Sequence, residues 1–128
     1  MSSRRQTMRL FVYGSLLSGE PNHRVLARAA LVAKALTEPR FALHDLGAFP
    51  GMVAGGEHAI AGEVYTVDGY TLAALDRLEG VPRFYQRAPI PLADGTTAQT
   101  YLLTRAQVEG RPVIANGCWR AHRKEMRR

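Results

Sequence analysis

The chain has 128 residues, 46% of them hydrophobic, a length and composition suited to one ordinary packed domain. Its single cysteine, Cys118, excludes an intrachain disulfide and argues against a cysteine-based zinc site. The net charge of +6 invites a nucleic-acid reading, but its distribution argues against a specific one. Arg4 and Arg5 lie at the start, and Arg120, Arg123, Lys124, Arg127 and Arg128 at the end, as solvated tails would. The middle shows no aromatic–basic interleaving of the kind that stacks bases. No apolar run approaches the roughly 20 residues of a membrane span, and the N-terminus lacks the long apolar stretch of a signal peptide. The expected location is the cytoplasm, with no membrane partner.

Residues 1–8 are expected as a flexible tail, followed by a strand over Arg9–Tyr13. The stretch Phe11–His23, FVYGSLLSGEPNH, carries Gly14 and Gly19 with four residues between them, as in a phosphate-cradling loop. That loop needs a Lys and a Ser or Thr after its second glycine. Here Glu20 would repel a phosphate and Pro21 has no N–H to donate. Pro21 and Asn22 predict a helix start, with the helix running through HRVLARAA. Strands are expected over Leu31–Thr37 and Arg40–Leu46, separated by Pro39, and a loop over Gly47–Gly56. Ile60–Val67 reads as a strand, rich in β-branched and aromatic residues. Asp68–Gly69 leads into a helix, TLAALDRLEG, ended by Gly80 and Pro82. Phe84–Leu92 and Thr97–Arg105 form a hairpin around Asp94–Gly95, and a short last helix follows Asn116. Residues from about 122 to 128 are expected as a second flexible tail. Many short strands with two or three helices predict an α+β single domain over 1–128, with a small, mixed, barrel-like sheet.

The TLAALDRLEG helix carries an anomaly. Counting from Leu72 at helical spacing, the apolar stripe continues to Leu75 and then to Glu79. Either Glu79 is merely the last helical residue and Leu78 completes the stripe, or a carboxylate stands in a partly apolar pocket. In the second case desolvation would raise its pKa toward neutrality, as a general acid/base requires. The Tyr13-Gly14-Ser15-Leu16 turn is open in the same way, between a tight bend and a backbone concavity for an anion. Tyr13 and Tyr85 read equally as packing aromatics or as groups facing a pocket. Asn22 reads as a helix cap and Arg87 as a strand surface charge, while His23 has no assigned role. His44, His58 and His122 show no spacing of a metal site, so no metal is expected.

Three segments in this order, FVYGSLLSGEPNH, GEVYTVD and LDRLEGVPRFYQR, resemble the γ-glutamylcyclotransferase-like proteins. Gly55-Gly56-Glu57-His58, HDLGAFPG and NGCWR add to the likeness, with Cys118 standing where some relatives carry Asp. The γ-glutamylamine cyclotransferase branch is the most similar. The resemblance implies a mixed α/β fold around a barrel-like sheet and a substrate pocket at Tyr13, Gly14, Ser15 and Leu16, with Tyr85 assisting. It implies Glu79 as the catalytic acid/base. The implied reaction is attack of a glutamyl α-amine on its own γ-carbonyl, releasing 5-oxoproline and a free amine or amino acid, with no cofactor. The implied partner is a small-molecule γ-glutamyl substrate, bound by a monomer or homodimer. The alternative function is a non-catalytic small-molecule-binding or interaction module on the same fold.

Overall fold

The computed structural model describes residues 7–126. Seven strands and two α-helices follow in the order β1 (Thr7–Val12), β2 (Ala30–Leu36), β3 (Phe41–Asp45), β4 (Pro50–Ala54), β5 (Ala61–Asp68), α1 (Gly69–Leu78), β6 (Gln86–Pro91), β7 (Thr97–Leu102) and α2 (Trp119–Met126). Five strands form one sheet in the order β2-β5-β1-β7-β6, and β3 and β4 form a hairpin of their own. The five-stranded sheet is mixed: β1 runs antiparallel to β5 and parallel to β7. Its two outer strands curl toward each other, and an antiparallel bridge between Thr37 and Leu92 joins their ends. The architecture is the α+β, barrel-like one expected.

Strand β1 explains why the run Leu10-Phe11-Val12-Tyr13 is apolar without alternation. Leu10 and Val12 pack on one side with Leu72 and Leu75 of α1. Phe11 and Tyr13 pack on the other with Phe41, Leu43 and Met52 of the β3–β4 hairpin and with Trp119 of α2. A strand covered on both faces has no position for a polar residue.

Four expectations are corrected. The segment HRVLARAA is not a helix: it makes one 3-10 turn, His23–Leu26, and Ala30 already belongs to β2. Asn22 makes no capping bond there, and pairing of β2 with β5 claims the residues that helical propensity favours. The expected loop 47–56 contains β4, paired with β3 from Asp45↔Pro50 to Phe41↔Ala54. Pro50 is tolerated because it opens the strand. Thr7 and Met8, expected in the N-terminal tail, are paired to Asp68 and Val67 of β5. Residues 122–126, expected in the C-terminal tail, are the last turns of α2. The rest of both expected tails, residues 1–6 and 127–128, lies outside the described residues. Among the described residues no helix is long and apolar enough to cross a membrane.

Candidate active site

A cavity of about 460 Å³ opens where the chain leaves β1, and Tyr13, Gly14, Ser15, Leu16, Glu79 and Tyr85 all line it. The structure therefore brings these six candidate site residues together. Asn22, Phe49, Pro50, Leu78, Phe84 and Tyr101 complete most of the wall.

Helix α1 delivers Glu79. Asp68 starts the helix by accepting a hydrogen bond from the Thr71 N–H at 2.7 Å, an N-cap that fixes its first turn. Leu72 and Leu75 are buried against the core, so the stripe sets the helix rotation. One turn on, Glu79 is the C-cap residue and its side chain enters the cavity, while Leu78 is 44% exposed. The alternative rotation, with Leu78 completing the stripe, is not the one observed. Gly80 follows with φ +68, a conformation that suits glycine and ends the helix.

Three tyrosines surround Glu79, yet each phenol proton is committed elsewhere. Tyr13 donates to the Tyr101 carbonyl at 2.6 Å and accepts from the Met52 N–H at 3.2 Å. Tyr85 donates to the Pro50 carbonyl at 2.7 Å. Tyr101 donates to Asp76 at 2.8 Å. Among the described residues no donor reaches the Glu79 carboxylate. Burial alone pushes its carboxyl up to about 7. Burial is also the leading reason the three phenols titrate above their ordinary range, and the nearby Glu79 charge adds to the rise in each. They remain neutral at physiological pH, with oxygen lone pairs but no spare proton.

The 13–16 turn forms another part of the wall. Its carbonyls are used: Leu17 N–H donates to Gly14 O at 3.0 Å and Asn22 N–H to Ser15 O at 3.0 Å. Asn22 also donates through Nδ2 to Ser15 Oγ at 3.0 Å, and so links the two ends of the loop instead of capping a helix. Among the described residues the N–H groups of Gly14, Ser15 and Leu16 have no hydrogen-bond acceptor. Such a cluster of free donors is an anion site that needs no lysine. Gly14 is required by packing: a Cβ there would meet Pro50 Cγ and Cδ at 2.8 Å. His23 stands outside the lining residues, with Nδ1 2.9 Å from the Leu16 carbonyl.

The outer wall is aromatic. Phe49 and Phe84 meet edge to face at 5.8 Å, and Phe84 and Tyr85 at 5.0 Å. Among the described residues no Lys, Arg or His lines the cavity. Among the described residues no group of three or more His, Cys, Asp or Glu side chains is placed to hold a metal ion. Sequence reasoning missed Tyr101 and Asn22 as cavity residues. Phe49 and Pro50 lay within the HDLGAFPG stretch, and Phe84 is the neighbour of Tyr85, so those three had a signal.

Arg87 is not a free surface charge. Its Nε donates to Asp76 Oδ1 at 3.0 Å and ties β6 to α1. Nor are Arg120 and Arg123 parts of a solvated tail, since both pair with Glu20.

Escherichia coli K12 YtfP, a gamma-glutamylcyclotransferase family protein, is 37% identical over 112 residues, covering 88% of this chain and 96% of its own. The E. coli ytfP solution structure superposes with a TM-score of 0.69. The gamma-glutamylaminecyclotransferase of Bos taurus is 38% identical over 96 residues, covering 66% of this chain and 55% of the bovine protein. The crystal structure of c4763, a uropathogenic E. coli-specific protein, matches 93% of this chain and 97% of its own at 25% identity, with a TM-score of 0.82. Residues 10–121 match the model of one family, and the chain belongs to it: gamma-glutamyl cyclotransferase, AIG2-like.

Proposed function

We propose that this protein cyclises a γ-glutamyl amine or γ-glutamyl amino acid, releasing 5-oxoproline and the free amine, with Glu79 as base and then acid. The observation that carries the reading is a burial-raised, unpartnered carboxylate in one cavity with the free N–H groups of the 14–16 turn.

The substrate's α-ammonium cannot attack until it loses a proton. Glu79, with its carboxyl near 7, takes that proton. The freed amine attacks the γ-carbonyl carbon, a new C–N bond closes the five-membered ring, and the carbonyl oxygen becomes an oxyanion. Glu79 returns that proton to the departing nitrogen and takes the second proton from the ring nitrogen; as the oxyanion re-forms the carbonyl, the bond from carbon to the departing nitrogen breaks and the second proton passes from Glu79 to the free amine. The ring and the free amine leave with Glu79 ionised again. The N–H groups of Gly14, Ser15 and Leu16 meet the substrate's α-carboxylate, since among the described residues no lining side chain is cationic. Tyr13 and Tyr85 shape the wall, and their oxygens accept from the ammonium.

Ring closure is intramolecular, so much of the task is to hold the chain folded back on itself. Such orientation is worth up to about 7–11 kcal/mol, and the proton shuttle about 10²–10⁴-fold. The uncharged aromatic rim formed by Phe49 and Phe84 supports a leaving group attached through an alkyl chain over one with a carboxylate beside the departing nitrogen. The name of the bovine relative supports the same class.

The test is 5-oxoproline release from γ-glutamyl-alanine, ε-(γ-glutamyl)-lysine, γ-glutamyl-putrescine and glutathione. Turnover of ε-(γ-glutamyl)-lysine or γ-glutamyl-putrescine above the other two is expected. Saturable binding of all four without product would instead assign a binding module.

A further inference from the structure

The loop that follows the 13–16 turn is held from outside the cavity. Glu63, in the middle of β5, is only 3% exposed. Its carboxylate accepts from the Ser18 N–H at 2.9 Å, the Ser18 hydroxyl at 2.8 Å and the Tyr65 hydroxyl at 2.9 Å. Burial alone would push this carboxyl up, but those hydrogen bonds outweigh it and hold the group below its ordinary value. Arg120 of α2 lies 3.7 Å from Glu63 and 3.8 Å from Glu20. Arg123, also on α2, holds Glu20 at 2.5 Å.

Ser18 and Glu20 belong to the same short loop as the free N–H groups. Within it Glu20 N–H donates to Leu17 O at 2.9 Å, Leu17 N–H to Gly14 O, and Asn22 N–H to Ser15 O. The chain of turns is continuous from the clasped residues to the cradle. A carboxylate cradle works only if its N–H groups are aimed before the ligand arrives. None of Glu63, Arg120 and Arg123 lines that cavity; Glu63 and Arg120 line a second one of about 560 Å³.

We propose that Glu63 and Arg123 are positioning residues for the substrate loop: Glu63 clasps Ser18 from the sheet, Arg123 clasps Glu20 from α2, and together they preset the 14–16 cradle. The proposal rests on the reading of that turn as the seat of the substrate's α-carboxylate. Because the carboxylate is bound alike in ground and transition states, loosening the clasp raises KM and spares kcat.

The experiment measures KM and kcat for ε-(γ-glutamyl)-lysine alongside amide hydrogen exchange across residues 14–22. Ser18→Ala and Arg123→Gln, both at the surface and safe for folding, are each expected to raise KM about fivefold and leave kcat within about twofold. Exchange over 14–22 rises in both, and Ser18→Thr, which keeps the hydroxyl, restores both readouts. Ser18→Ala and Glu63→Gln together cost less than the sum of the two, because both remove the bond from the Ser18 hydroxyl to Glu63. Unchanged KM and exchange in Ser18→Ala and Arg123→Gln would overturn the clasp, as would a loss that Ser18→Thr fails to restore. Were the wild type inactive on all four γ-glutamyl compounds, the function reading would fail, while loop exchange would still decide the clasp.

Discussion

Arg87 on β6 donates from Nε to Asp76 Oδ1 at 3.0 Å, and Asp76 stands one helical turn before Glu79. The same carboxylate accepts the Tyr101 hydroxyl at 2.8 Å, so two strands hold the end of α1 over the cavity. Both partners of the ion pair are about a quarter exposed, 28% and 25%. Asp76→Asn keeps the volume and removes the charge. It is expected to lower stability by about 1–2 kcal/mol and to reduce kcat more than it raises KM, because Glu79 loses its placement. Thermal unfolding and steady-state kinetics check the two parts.

Glu79 governs the pH dependence. A base titrating near 7 gives a kcat/KM that rises with pH and levels off above about 7. The effect on stability has the opposite direction. The folded chain holds the Glu79 proton from the ordinary value of 4.5 up to about 7, so this contribution is fully present below about 4.5 and is lost as pH rises through 7. Glu79→Gln is therefore expected to be more stable than wild type at pH 8, by on the order of 2 kcal/mol, and no more stable at pH 4. Unfolding curves at the two values decide it.

Much of this site was legible along the chain, because its signals are local. The stripe Leu72, Leu75, Glu79 and the Asp68 and Gly80 caps lie within one helix, so spacing marked the carboxylate as one of two readings, and the observed rotation, with Leu78 44% exposed, decides between them. The LFVY run marked a strand, and the structure shows both of its faces covered. The misread segments are those where pairing overrode propensity. HRVLARAA is good helical sequence, but β2 needs Ala30 onward to cover β5. PGMVA has loop punctuation, yet Pro50 opens a paired strand where its missing N–H costs little. The polar contacts that hold the site were not legible at all. Glu63 and Ser18 are 45 positions apart, and Asp76 and Arg87 are 11 apart on different elements. No pattern of period 2 or 3.6 encodes such meetings.

Tyr85 tests the division between wall and proton donor. Its only proton goes to the Pro50 carbonyl at 2.7 Å. Tyr85→Phe leaves that buried carbonyl without its partner and is expected to cost about 1–3 kcal/mol of stability. Turnover falls less than about tenfold, since the hydroxyl does not shuttle the reacting proton. A loss on the scale of a catalytic acid would reassign the residue.

Gly14 is fixed by its neighbour. Gly14→Ala places a methyl 2.8 Å from the Pro50 ring, so either the turn or the β3–β4 connection must move. The expected cost is about 1–3 kcal/mol, together with a rise in KM as the N–H groups of the cradle lose their aim. Denaturant unfolding and the KM for ε-(γ-glutamyl)-lysine report the two effects separately.

The most direct measurement is 5-oxoproline release by wild type and Glu79→Gln, compared at pH 8 with both proteins shown folded by thermal unfolding. The account predicts turnover by the wild type and a loss of at least about 10²-fold in the variant, which keeps the shape of the cavity and lacks a base. A folded Glu79→Gln variant that still releases 5-oxoproline at the wild-type rate would contradict it and move the proton transfer to another group.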